Sequence, residues 1–95
     1  MKSVKTTVWD PAEYLNDDED IIAYLTDVFS TNDTNLIVAA IGDVARAKGM
    51  TRVAEDAECG RESLYKSLSQ TGNPSFDTII KVLSALGYTL QPAHA

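Results

Sequence analysis

The chain has 95 residues, 44% of them hydrophobic, which is enough for one small core and too little for two. No run approaches the roughly eighteen apolar residues of a membrane span, and the opening MKSVKTTVW lacks the apolar stretch of a secretion signal, so a cytoplasmic protein is expected. A single cysteine and a single histidine near the chain end leave no disulfide and no metal site to be expected, and a net charge of −6 opposes nucleic-acid binding unless it is unevenly distributed.

It is unevenly distributed. VKTTVW (4–9) is β-branched and reads as a short strand or an extended arm. Asp10 and Pro11 form a helix start, good for one turn through Tyr14 and Leu15. The stretch from Asn16 to Asp20 supplies a second cap and an acidic first turn, and Ile21, Ile22, Leu25, Val28 and Phe29 recur at helical spacing. Between Asp10 and Asp33 there are eight acidic residues and no Lys or Arg, whereas from Leu36 onward six basic residues balance six acidic ones. Such a chain presents two surfaces, an acidic one and a neutral one. Apolar anchors ringed by charge of one sign suit a basic protein partner, with the aromatic and aliphatic groups holding and the carboxylates steering.

Asp33 is the expected cap of a helix running to Lys48, with Leu36, Ile37, Ala40, Ile41, Val44 and Ala45 facing inward and Gly49 ending it. Thr51 is expected to cap a short helix whose buried face is Val53, Ala54 and Ala57. A second short helix buries Leu64 and Leu68, with Glu58, Cys59 and Gly60 between the two. Ala54 is small enough to let the helices cross closely, and the other side of the second helix is polar. That is the pattern of a helix-turn-helix DNA reader. In such a unit Arg61 suits a bidentate contact with guanine, and Lys66 a base edge or a phosphate. Glu62 can accept from cytosine or pair with Lys66 four residues on. Ser63 and Tyr65 share the outward face, while Thr51, Arg52, Ser69 and Asn73 would grip the flanking backbone. Glu58 stands where the turn calls for positive φ, a conformation that disfavours any side chain.

After QTGNP, Ser75 caps a last helix with Phe76, Ile79, Ile80, Leu83 and Leu86 inward, closed by Gly87. Tyr88 to Leu90 then suits a short strand. No nucleophile with a base and an orienting group is present, nor a phosphate-cradling glycine loop, and no enzyme is expected.

The segments DPAEYLNDDEDIIAYL and IGDVARAKGMTRVAEDAECGRESLYKSLSQTGNPSFDTIIKVLSALG closely resemble the probable addiction-module antidote proteins, HigA-like antitoxins with a Cro/C1-type helix-turn-helix, over about residues 9–90. Glu58 and Gly60 depart from the glycine and serine usual there. The resemblance implies an all-α, five-helix lambda repressor-like domain with an N-terminal arm. It also implies a homodimer that represses its own operon and forms a heterotetramer with a RelE/HigB-like mRNA endonuclease, usually encoded beside it. On that basis residues 1–33 form the toxin-binding segment, with Trp9, Tyr14, Leu15, Asp18, Ile21, Ile22, Leu25 and Phe29 as its contacts. Residues 34–90 form the DNA-binding unit and 91–95 a flexible tail. The rival readings are a stand-alone phage-type repressor and a helical adaptor without DNA contact.

Overall fold

The computed structural model describes residue 15 and residues 17–69 and 71–94. Five helices occupy them: α1 (Asp18–Phe29), α2 (Thr34–Lys48), α3 (Met50–Asp56), α4 (Arg61–Ser67) and α5 (Phe76–Leu86). The strand expected over 4–9 and the helical turn after Asp10 lie outside the described residues. Among those described there is no strand, and Tyr88 to Leu90 run on from α5 without one. No helix among them is long and apolar enough to cross a membrane.

The helix starts follow capping chemistry. Asp17 accepts the amide of Asp20 at the head of α1, Asp33 accepts those of Asn35 and Leu36 at α2, and Ser75 accepts that of Thr78 at α5. Thr51 does not cap α3. That helix begins two residues earlier than such a cap would place it, at Met50, with Gly49 in the cap position and no side-chain cap bond. Met50 is buried, and its burial draws the helix start back over the position where a threonine could have served.

α2 packs against α1, α3 and α5, while α3 also packs against α4 and α5. Ile41, Val44 and Val82 have no solvent exposure and stand at the centre, with Ile21, Leu25, Val53, Ala54, Ala57, Leu64, Leu68 and Leu83 around them. Three residues assigned inward by spacing face outward: Leu36 is 49% exposed, Phe76 69% and Ile80 40%. Because α5 leans on both α2 and α3, its buried stripe is turned toward Val82, Leu83 and Leu86, and Phe76 is left at the free end of the helix. On α2, Val38 is buried and Leu36 is not.

Gly42, in the middle of α2, lies so close to the end of α4 that an added Cβ would stand 2.6 Å from the carbonyl oxygen of Leu68. A half-buried polar link ties α1 to α2. The hydroxyl of Tyr24 donates to Asp43 Oδ2 at 2.6 Å, and Arg46 Nη2 donates to Asp43 Oδ1 at 2.8 Å. Burial first, then the bond to Asp43, pushes the Tyr24 phenol above its ordinary pKa. The unfolded chain therefore loses that proton first as pH rises, and the contribution, complete below about pH 10, fades above it. A Tyr24→Phe variant is expected to be less stable by about 1 kcal/mol at neutral pH and to lose less stability on going from about pH 9 to pH 11. Urea unfolding at the two pH values checks this. Parallel alkaline losses in both proteins would remove Tyr24 from the account.

Candidate nucleic-acid interface and partner-facing helix

Turn residues 57–60 close the end of α3 through backbone bonds and lead into α4. The amide of Ala57 donates to Val53 O at 2.9 Å, that of Glu58 to Glu55 O at 3.1 Å, and that of Cys59 to Ala54 O at 2.8 Å. To make this closure Glu58 adopts φ 59°, the left-handed conformation its place in the turn predicted. A side chain there is disfavoured by about 1–2 kcal/mol, offset in part by the extra freedom a glycine would lose on folding. Glu58→Gly is therefore expected to stabilise the fold by about 1 kcal/mol, read as a higher urea midpoint. A lower midpoint would mean that the carboxylate makes up for its backbone. Gly60, extended at φ −69° and ψ 139°, heads α4 without a side-chain cap, although its carbonyl accepts the amide of Leu64 at 2.9 Å.

The helix so placed buries Leu64, followed by Leu68 at its end, and turns the rest outward. Arg61, Glu62, Ser63, Tyr65 and Lys66 are all exposed. The Arg61 guanidinium stacks 5.1 Å from the centroid of the Tyr65 ring, which orients it along the outer face. Among the described residues no ion pair joins Glu62 to Lys66, so the alternative of an intrahelical pair is not realised. Ser63, Lys66 and Asn73 come together around a shallow hollow with Ser67, Thr71 and Gly72. Ser69 is half-buried, and its hydroxyl donates to Lys66 O at 2.8 Å. Thr51 is exposed, and Arg52 lines a separate hollow with Lys48, Asp56 and the end of α5, so the structure does not gather it with Arg61 and Lys66. Cys59 is half-buried beside the turn.

On α1 the candidate partner residues divide. Ile21 and Leu25 are core residues, 2% and 6% exposed, although the edge of Leu25 also lines the groove beside Ile22 and Phe29. Ile22 is 52% exposed, and Phe29 and Leu15 are half-buried against the core edge. Trp9 and Tyr14 lie outside the described residues. Asp18 is exposed and holds a clasp. The Tyr88 hydroxyl donates to its Oδ1 at 2.7 Å, and Lys48 Nζ stands 3.4 Å from the same oxygen and 5.7 Å from the Tyr88 ring. The Tyr88 bond first, then Lys48, holds the Asp18 carboxyl below its usual pKa. Desolvation, then Asp18, pushes the Tyr88 phenol up to about 12. Asp43 and Tyr88 carry no sequence pattern that marks them for these links; the aromatic ring of Tyr88 is the one signal, and it suits a strand as well.

Taken together, the described residues form a small helical unit with two chemically distinct surfaces, an acidic helix and a pair of short helices with a polar outer face. The family model for probable addiction module antidote proteins matches residues 5–94. A Haemophilus influenzae (strain Rd) protein, itself described as an uncharacterized protein, is 46% identical over 83 residues, covering 87% of this chain and 86% of the relative. No solved structure matches. The chain belongs to the family of probable addiction module antidote proteins, and that membership supports an antitoxin role and implies a toxin as partner.

Proposed function

We propose that the protein is the antitoxin of a type II toxin-antitoxin module. It neutralises a RelE/HigB-like mRNA endonuclease through the segment 1–33 and represses its own operon by binding DNA as a dimer through residues 34–90, with 91–95 as a tail. The observation that carries the DNA half is the outward face of α4, where Arg61, Tyr65 and Lys66 stand exposed behind a tight turn. Two copies with their α4 helices about 34 Å apart would fit successive major grooves of a palindromic operator, and the doubled phosphate contacts would offset the overall negative charge. The toxin half rests on α1. Asp18, Glu19, Asp20 and Asp27 carry charge of one sign, and Ile22 stands exposed among them. An RNA-cleaving partner with a basic RNA-binding surface would meet that charge directly.

Within the DNA half, Arg61, Glu62, Ser63, Tyr65 and Lys66 face the groove, and Thr51, Arg52, Ser69 and Asn73 hold its backbone. In the toxin half, Asp18, Ile22 and Phe29 are the accessible contacts among the described residues, with Leu25 and Ile21 behind them in the core, and Leu15, Tyr14 and Trp9 belong to the same set by their place in the sequence. Two experiments test the reading. The full chain should shift its own upstream DNA with an affinity that falls steeply as salt rises, and its co-expression should rescue growth from a RelE/HigB-like endonuclease, sought first in the adjoining reading frame. A salt-insensitive or absent shift defeats the DNA half, and growth arrest despite co-expression defeats the toxin half. Rescue absent but repression intact would favour a stand-alone repressor.

A further inference from the structure

An open groove of about 430 Å³ runs along the outer side of α1 and is walled on its far side by the end of α5 and the residues after it. Ile22 and Phe29 line it from α1. Leu83, Tyr88, Thr89 and Gln91 line it from the other wall. The groove therefore joins the acidic helix to the end of the charge-balanced part of the chain.

We infer that this groove, composed from both ends of the chain, seats an apolar side chain of a basic protein partner, with the segment 88–91 contributing as much of the contact as α1 does. The inference rests on the antitoxin reading and names the second wall of its toxin site. Charge selects the occupant. α1 carries Asp18, Glu19, Asp20 and Asp27 and no basic residue; Asp18, one turn ahead of Ile22, is bonded to Tyr88 of the far wall and met by Lys48, which leaves the other three carboxylates of the helix without a facing cation among the described ion pairs. A second copy of this chain would bring a like-charged helix into the same place, which repels. A basic protein brings the opposite sign, and the half-exposed Ile22, with Leu83 and Tyr88 lining the same groove, gives its anchor apolar surface to cover.

The test compares Thr89→Arg with Ser84→Arg in the full chain. Both residues are exposed, and both variants add one positive charge near the end of the chain, but only Thr89 lines the groove. The probe is a basic RelE/HigB-like endonuclease, the one that the co-expression test pairs with this chain, co-purified and titrated. Thr89→Arg is expected to weaken its capture at least about tenfold, with melting temperature and upstream-DNA binding unchanged, while Ser84→Arg captures as the parent does. Full capture by Thr89→Arg overturns the composite groove and leaves the antitoxin reading standing. Failure of the parent chain itself to capture the probe brings down the antitoxin reading and the groove with it. Conversion of a dimer to a monomer by Thr89→Arg in sedimentation, without the probe, would show that a second copy occupies the groove and would likewise overturn the inference.

Discussion

Gly42→Ala is expected to lower stability by about 2 kcal/mol or more, despite placing a better helix former in the middle of α2. On propensity alone the change should stabilise, since glycine in a helix interior is worse than alanine by about 1 kcal/mol. The neighbour decides the sign. The new methyl carbon would lie 2.6 Å from the Leu68 carbonyl oxygen and 3.3 Å from the Leu68 Cβ. The first of these is a backbone atom, which cannot rotate out of the way as a flexible side chain would. The two helices must part, and because Leu68 closes α4 the displacement falls on the helix that carries Arg61 and Lys66. Reduced upstream-DNA binding by the folded variant should accompany the lower urea midpoint. A midpoint equal to or above that of the parent would show that α2 and α4 do not approach so closely.

Arg61→Ala is expected to reduce affinity for the native operator about 10- to 100-fold while leaving affinity for scrambled DNA nearly unchanged, the signature of a lost bidentate base contact worth about 1–3 kcal/mol. Stacking against Tyr65 leaves the guanidinium exposed and directed outward, so little of its reach is given up to the fold. Arg52 sits around another hollow, beside Lys48 and Asp56. Its removal is expected to weaken native and scrambled duplexes alike and to reduce the slope of log affinity against log salt by about 1. Gel-shift titrations on both duplexes at several salt concentrations separate the two. Equal losses on both duplexes from Arg61→Ala would place that residue on phosphate and not on a base.

Much of this was legible because it is local. Caps at Asp17, Asp33 and Ser75, the stops at Gly49 and Gly87, and positive φ at Glu58 are each decided by a few neighbouring residues. The face of a helix is not so decided. Spacing marks a broad apolar stripe that includes Leu36, Phe76 and Ile80, but which edge of the stripe is covered depends on where the next helix crosses, and that choice buried Val38 and Val82 instead. Gly42 carried a hint, since glycine inside a helix is disfavoured unless something needs the space. The groove wall of Leu83, Tyr88, Thr89 and Gln91 had no local signal, because it exists only once the two ends of the chain are side by side. For the same reason a deletion of residues 1 to 30 is a poor probe of partner capture. It would strip Ile21 and Leu25 from the core along with the outer contacts.

That shared helix has a thermodynamic consequence. α1 fills the interior with one side and shows Ile22 and its carboxylates with the other, so whatever grips the outer side binds only the folded chain. By mass action, a partner present at about 100 times its dissociation constant would add about 2.7 kcal/mol to the unfolding free energy of the entire molecule. The supply of partner would then set how much of this protein survives in a form able to hold an operator, with no change of shape needed to pass the message from one surface to the other.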